Sequence, residues 1–226
     1  MGVKSKRGLD VFNERALQPF LDAVYRELGF DFRRVEAKEL QLKGIDIIIR
    51  HGQKEYAVDE KGQTHWINKG LKTFAFELDF KSGVNEVREG WLFDGEKVTT
   101  HYFLAADIRS SSSRVSDLIS FRLVSVQRER LIRFLEDKGW GNRFMTEDVP
   151  NLMRGNNRHT LSASNPKVKL VRTLHLVEEP LNVVIHLDDL IKAGVAKELV
   201  PGNRKMEEWQ RIFREVADGG KTGSSG

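Results

Sequence analysis

Two aspartates, with a lysine two residues after the second, lie at the ends of two short apolar runs of the chain. Residues 44–63 read GIDIIIRHGQKEYAVDEKGQ, with Asp46 near the start, Asp59 and Lys61 near the end, and Gln63 just after them. Mg²⁺ prefers oxygen ligands and is typically held by one or two carboxylates. Such an ion can lower the pKa of a bound water and neutralise charge on a phosphate oxygen, while a nearby lysine orients that water or stabilises the developing charge. The residue types therefore predict hydrolysis of a phosphodiester.

The spacing of the two acids fits a β-hairpin. Apolar runs on either side of Gly52-Gln53 predict two strands joined by a two-residue turn. This turn places Asp46 opposite Asp59, and directly opposed residues have Cβ atoms about 5 Å apart. A turn shifted by one residue would offset the two acids along the strands.

Strand alternation decides which side chains share a face of this hairpin. Asp59, Lys61 and Gln63 project to the same side as Asp46, whereas Glu60 projects to the opposite side. Glu60 could replace Asp59 as a ligand only if the strand were bulged. The alternation therefore predicts a catalytic set of Asp46, Asp59, Lys61 and Gln63.

The same residues carry a resemblance to a known family. Asp46 is followed, after twelve residues, by Asp59-Glu60-Lys61, and this arrangement resembles the PD-(D/E)xK signature of restriction-endonuclease-like nucleases. A helix precedes the hairpin and a glutamine follows the lysine, which is similar to the surroundings of that signature. The proline before the first acid is absent, because Ile45 stands there.

The resemblance covers roughly residues 10–108 and implies a fold, a cofactor and an activity. The implied fold is α/β, with a central mixed β-sheet flanked by helices in a restriction-endonuclease-like core. The implied activity is Mg²⁺-dependent hydrolysis of nucleic acid, DNA rather than RNA, by an endonuclease or exonuclease in which Mn²⁺ can substitute. In that family a preceding helix often supplies a further glutamate, and Glu14 is the matching candidate here.

A further carboxylate lies in the next strand of the sequence. Residues 72–80, KTFAFELDF, alternate with a period of two and carry Glu77 among aromatic side chains. Glu77 is therefore a candidate metal ligand from a neighbouring strand, together with Asp46, Asp59 and Glu14. An ordinary half-exposed strand glutamate is the alternative.

A second function remains open at this stage. Acids and lysines at strand ends are common solvated residues, and Gln63 can be a plain loop residue just as Glu14 can be an exposed helix acid. The alternative to a nuclease is a non-catalytic module that uses a nuclease-like fold to bind nucleic acid or a protein. The sequence favours the nuclease because the acid, acid and lysine set is intact.

The rest of the chain predicts alternating helices and strands. A helix over 20–28, or one that begins near Val11 with Asp10 as its cap, is followed by the hairpin and by strands over 72–80 and 99–108. Further elements are a helix capped by Ser125 and closed by Gly139, a loop over 154–166, strands near 168–177 and 182–187, a short helix capped by Asp188, and an amphipathic helix after Asn203. We expect a nuclease-like core over 1–150, a C-terminal extension over 151–217 that packs on the core or adds strands to it, and a disordered tail over 218–226.

Composition limits the environment and the partners. The 226 residues include no cysteine, which excludes disulfides and thiolate chemistry, and no apolar run approaches the length of a membrane span. The N-terminal residues lack the apolar segment of a secretory signal, so we expect a cytoplasmic protein with no membrane partner. The net charge of +4 is compatible with a polyanionic partner. Arg114, Arg154 and Arg158, in polar loops, are candidate phosphate contacts, and a homodimer is possible.

Overall fold

The structure of the protein, a computed structural model, describes residues 7–82, 86–164, 166–174 and 176–219. Side chains are described from residue 13 onward within these ranges, except at 215 and 217–219. Of the expected C-terminal tail, residues 218 and 219 belong to the last helix and the remainder lies outside the described residues.

A mixed six-stranded sheet forms the centre of the fold, as the sequence predicted for an α/β protein. Its strands run in the order β1, β2, β3, β6, β7, β11, and only β3 and β6 pair in parallel. The strand bounds are β1 Asp31–Arg34, β2 Ile47–His51, β3 Lys54–Gly62, β6 His101–Ser110, β7 Leu118–Gln127 and β11 Ala196–Val200.

A second, antiparallel sheet of five strands was not anticipated. Its order is β5, β4, β10, β9, β8, so the strand that carries Glu77 belongs to this sheet and not to the central one. The expected loop over 154–166 contains one of its strands. The bounds are β4 Thr73–Lys81, β5 Val87–Glu89, β8 Arg158–Ser162, β9 Val168–Arg172 and β10 Leu181–His186.

Seven α-helices are present in the described part of the chain. They are α1 Arg7–Glu27, α2 Lys38–Leu42, α3 Arg128–Glu136, α4 Asn142–Glu147, α5 Val149–Leu152, α6 Leu187–Lys192 and α7 Met206–Gly219. The first helix begins earlier than expected and contains Pro19. Among the described residues, no helix combines the length and the apolar character that crossing a membrane requires.

Two hydrophobic cores lie on the two faces of the central sheet. One face packs against α1 and α7 through side chains such as Tyr25, Phe121 and Trp209. The other face packs against the second sheet and the short helices α3 to α6, through side chains such as Phe76 and Tyr102. The helices predicted on both sides are thus present, but a sheet covers most of the second face.

The C-terminal part of the chain contributes to both sheets. β10 pairs with β4 in the second sheet, and β11 pairs with β7 at the edge of the central sheet. The sequence beyond residue 150 therefore adds strands to the same two-sheet assembly that the earlier residues build.

Two predicted helix caps are wrong. Ser125 lies inside β7, where it pairs with both Phe103 and Lys197. Both faces of β7 are buried, one in each hydrophobic core, so its apolar run lacks the clean alternation that marks a half-exposed strand. Asp188 lies in the first turn of α6 and not at its cap, and it accepts a hydrogen bond from Arg122.

The hairpin that carries the candidate site has the predicted register. Ile47 pairs with Val58 and His51 pairs with Lys54, so the turn is Gly52-Gln53. Gly52 has a φ of +61°, a left-handed conformation that glycine adopts without the strain of a side chain. The register places the two acids at the open end of the hairpin.

Candidate active site

The alternation of β3 separates its charged residues onto two faces of the central sheet. Val58 is buried in the core on the α1 side, and Glu60 shares that side because its carboxylate accepts a hydrogen bond from Tyr25. Asp59 and Lys61 therefore face the second sheet, where their side chains form an ion pair. The predicted orientations of the Asp59 and Glu60 side chains, on opposite faces of the sheet, are confirmed.

Asp46 reaches the same place from a bend just before β2. Its backbone N–H donates to the carbonyl of Val58, and its Oδ2 accepts a 2.7 Å hydrogen bond from the backbone N–H of Glu60. Gly44, two residues earlier, lies close to Thr99, whose hydroxyl donates to the Gly44 carbonyl, and a Cβ at that position would lie 2.5 Å from Thr99 Oγ1. These contacts fix the Asp46 carboxylate beside the end of β3.

The carboxyl group of Asp59 is almost fully removed from solvent. The residue is 3% exposed, and burial raises the pKa of Asp59 to about 7. The Lys61 ammonium opposes this rise, whereas the nearby charge of Asp46 and a hydrogen bond with that side chain add to it. The Asp46 carboxylate is therefore close enough to disfavour ionisation of Asp59 unless a cation compensates the charge.

Lys61 is held among acids and beside an aromatic ring. Burial lowers the pKa of Lys61, but the charges of Asp59, Asp46 and Glu14 together raise it above its ordinary value. The ammonium also lies 5.6 Å from the ring centroid of Trp91. Lys61 is thus a positioned cation at neutral pH, suited to stabilising negative charge and not to acting as a base.

Burial of Asp59 gives the metal-free protein a defined pH dependence. Because the folded-state pKa of about 7 exceeds the ordinary value of 3.8, the folded state binds more protons than the unfolded state between these values. The free energy of unfolding should then fall as pH rises from 4.5 to 7.5, by about 3 kcal/mol from this group. Urea denaturation in EDTA at pH 4.5 and 7.5 measures this fall in the unsubstituted protein and in Asp59→Asn, which should lack the contribution of Asp59. Equal slopes in the two proteins would contradict it.

A cleft of about 1650 Å³ separates the two sheets at this point. Asp46, Asp59 and Lys61 line it from the central sheet, and Glu77 lines it from β4. The predicted carboxylate of the neighbouring strand therefore does face the site, although it does so from the opposite wall.

The Glu14 side chain borders the site on the α1 side. A small cavity of about 40 Å³ is lined by Glu14, Asp46, Glu60 and Lys61, among others. The charge of Glu14 also contributes to the raised pKa of Lys61. The structure therefore brings the candidate helix glutamate next to the hairpin acids.

Gln63 does not belong to the lining of the cleft. Its Nε2 donates a 2.6 Å hydrogen bond to the carbonyl of Thr73, while its Oε1 is buried without a partner. The strand ends at Gly62, so the alternation that predicted a catalytic Gln63 no longer applies one residue later. Gln63 links the end of β3 to the start of β4.

The three arginines chosen from polar loops lie away from the cleft lining. Arg114 pairs with Asp117, and Arg154 donates to Asn151. Arg158 is exposed at the start of β8, the edge strand of the second sheet. Their possible phosphate contacts stay a prediction.

The cleft instead has basic residues that sequence reasoning missed. Lys81, Arg88 and Lys97 line it, together with Trp91. Lys97 Nζ donates to the carbonyl of Leu42, which fastens the loop before β6 to α2. The sequence spacing of these residues does not indicate that they lie together. They reach the hairpin only because β4 pairs with β5 and the loop after β5 returns to the central sheet.

Glu60 takes part in a buried ionic network on the other face of the sheet. Its carboxylate accepts hydrogen bonds from Tyr25 and from Arg34, at 2.8 Å each. Arg34 also pairs with Asp22 of α1 at 2.7 Å. Glu60 thus fastens α1 and β1 to the back of the candidate site.

The donor set at the hairpin fits a hard divalent cation with few protein ligands. The described residues contain no group of three or more His, Cys, Asp or Glu side chains arranged to hold a metal ion. The adjacent Asp46 and Asp59 match the one or two carboxylates that usually hold Mg²⁺, and a cation would relieve the buried repulsion between them. Glu14 and Glu77 border this pair without completing a larger ligand group.

No protein-family model, no curated protein and no solved structure matches this chain. The arrangement of the cleft therefore has to be interpreted from its own residues.

Proposed function

We propose that the protein is a metal-dependent nuclease that hydrolyses phosphodiester bonds, with DNA as the preferred substrate over RNA. The observation that carries the proposal is the convergence of Asp46, Asp59 and Lys61 in one cleft, with Glu60 turned to the opposite face. The helix before the hairpin, the acid before β2 and the Asp-x-Lys at the end of β3 support a restriction-endonuclease-like core.

Each residue of the set has a distinct part in the proposed reaction. Asp46 and Asp59 would hold Mg²⁺ or Mn²⁺, which supplies a nucleophilic water at neutral pH and neutralises charge on the phosphate. Lys61, positioned by Asp59 and by the ring of Trp91, would orient that water and stabilise the charge that develops on the phosphoryl oxygens. Glu77 lies across the cleft, where it can orient a water molecule.

The test of this function is cation-dependent cleavage. We expect plasmid DNA and labelled oligonucleotides to be cut in Mg²⁺ or Mn²⁺ and to stay intact in EDTA. A parallel RNA substrate decides between the two nucleic acids. Binding of nucleic acid without cleavage under any of these conditions would support the alternative of a non-catalytic binding module.

Nucleic-acid affinity should fall steeply as salt concentration rises. Lysine and arginine contacts to phosphates release counterions, so the logarithm of the binding constant falls linearly with the logarithm of salt concentration. Arg88 lines the cleft, so Arg88→Ala should reduce this slope by about 1. Arg143→Ala, an exposed arginine outside the cleft lining that is not a candidate phosphate contact, is the matched control. Fluorescence anisotropy between 50 and 300 mM salt measures both slopes. An affinity that does not change with salt would contradict a phosphate-dominated mode of binding.

A further inference from the structure

An aromatic side chain is built into the wall of the cleft beside Lys61. Trp91 follows Gly90, whose backbone N–H donates to the carbonyl of Leu78. A Cβ at Gly90 would lie 2.5 Å from the carbonyl oxygen of Glu77, so only glycine allows the chain to approach β4 this closely. The backbone of Leu92 then bonds to that same carbonyl. Trp91 is therefore fixed against the strand that carries Glu77.

The neighbours of Trp91 hold its ring in one orientation. Tyr102 packs against it with ring centroids 4.7 Å apart, and Phe76 packs with centroids 5.7 Å apart. The hydroxyl of Tyr102 also donates to the Trp91 carbonyl. Trp91 is partly buried and lines the cleft, and the Lys61 ammonium lies over its ring at 5.6 Å from the centroid. The aromatic side chain therefore lies next to the proposed position of the reacting phosphate.

The depth of the cleft limits which nucleic acid can reach the acids. Asp59 is nearly inaccessible, so the reacting phosphate has to enter the space between the sheets. In a continuous duplex the faces of the bases are covered by stacking, so a base can lie against Trp91 only after it has left its pair and its stack. A phosphate that reaches Asp59 beside that ring therefore belongs to an unpaired strand.

The mouth of the cleft carries apolar side chains as well as charged ones. Leu42 and Val177 both line it, and they are 66% and 55% exposed. The backbone at Leu42 is held in place, because its carbonyl accepts the hydrogen bond from Lys97. Exposed apolar side chains are better partners for the faces of bases than for charged phosphates, because only the former contact removes apolar surface from water.

We propose that the cleft binds an unpaired strand, with a base stacked on Trp91 next to the reacting phosphate. The inference rests on the proposed function for the position of that phosphate. The substrate class is accordingly nucleic acid with unpaired nucleotides, such as single strands, frayed ends or flaps, and not continuous duplex. Stacking on an aromatic side chain tolerates every base, so no sequence preference is required.

Binding of oligonucleotides in EDTA tests the stacking without cleavage. Trp91→Ala should weaken binding of a single strand about tenfold or more, and Trp91→Phe should retain most of the affinity. The same Trp91→Ala change should leave binding of an abasic strand of equal length unaltered. Trp66→Ala is the matched control, because Trp66 is exposed but lies outside the cleft lining. An equal loss of affinity for normal and abasic strands would overturn the proposal that a base stacks on Trp91. Trp91 would then affect binding only through Lys61 or through the fold.

Cleavage of the same sequences in Mg²⁺ separates this inference from the proposed function. We expect single strands and duplexes with unpaired ends to be cut at least tenfold faster than blunt duplex. Equal cleavage of blunt duplex, unaffected by Trp91→Ala, would overturn the inference and leave the nuclease in place. Base-dependent binding with no cleavage in Mg²⁺ or Mn²⁺ would support the stacking site and overturn the nuclease.

Discussion

Asp59→Ala and Asp46→Ala should each abolish metal-dependent cleavage. Each change removes one of the two adjacent carboxylates that face the cleft, and the remaining one is a poor site for a hydrated divalent cation. The charge stabilisation lost with the cation amounts to several kcal/mol, which corresponds to a rate loss of about 10³-fold or more. Plasmid-cleavage time courses in Mg²⁺ measure the activity, and calorimetric titration with Mn²⁺ measures the binding.

A matched control separates this loss from a general effect of removing an acid. Glu55 lies on the same strand as Asp59, and its only described partner in an ion pair is the exposed Arg50. Exposed pairs of this kind contribute little to stability, so Glu55→Ala should retain full cleavage and Mn²⁺ binding. Retained activity in Asp59→Ala would place the metal ligands elsewhere.

Lys61→Ala should reduce the cleavage rate by about 10²-fold or more while sparing metal binding. The ammonium is fixed beside Asp59 and the Trp91 ring, so it acts as a preorganised charge in the transition state. Its removal also deletes a cation that competes for the oxygens of Asp59. The same change raises the pKa of Asp59, because the ammonium holds that pKa down, so a proton competes more strongly with the metal in the variant. Mn²⁺ affinity measured over a pH series should therefore be unchanged or tighter once Asp59 of the variant is ionised.

Lys61→Met separates the charge from the packing of the side chain. Methionine keeps an unbranched apolar chain against Trp91 but carries no ammonium, so its activity should match that of Lys61→Ala. Single-turnover cleavage and Mn²⁺ calorimetry on both variants make the comparison. Near-normal cleavage by Lys61→Met would mean that Lys61 supports the cleft wall and has no part in the chemistry.

Glu60→Gln should have the opposite effect to changes at its neighbours Asp59 and Lys61, with cleavage retained and stability reduced. Glu60 binds Tyr25 and Arg34 behind the sheet, so the amide should keep cleavage largely intact while it weakens this buried network. Loss of one charged partner from such a network costs about 3 kcal/mol in the free energy of unfolding. Urea denaturation measures that loss, and a dead but fully stable Glu60→Gln protein would reverse the assignment of the two acids.

The hairpin could be predicted because its information is local. The Gly52-Gln53 turn fixes the pairing, and pairing together with strand alternation fixes which side chains share a face. The same logic failed at Gln63, which follows the end of the strand, and at Ser125, which lies in a strand buried on both sides. Strand alternation predicts the direction of a side chain only where the backbone stays extended, and it reveals a strand in the sequence only where one face is apolar and the other polar.

The sequence by itself determined the mixed α/β character, the hairpin register and the opposite orientations of Asp59 and Glu60. The tertiary structure decided what stands across from the acids: Glu77 and Trp91 reach the cleft because β4 pairs with β10, a strand more than 100 residues later, and not with the central sheet. Side-chain direction along one strand is a property of the local backbone. The choice of a distant partner strand depends on burying apolar faces such as those of Phe76 and Tyr102 together, and no local pattern encodes that choice.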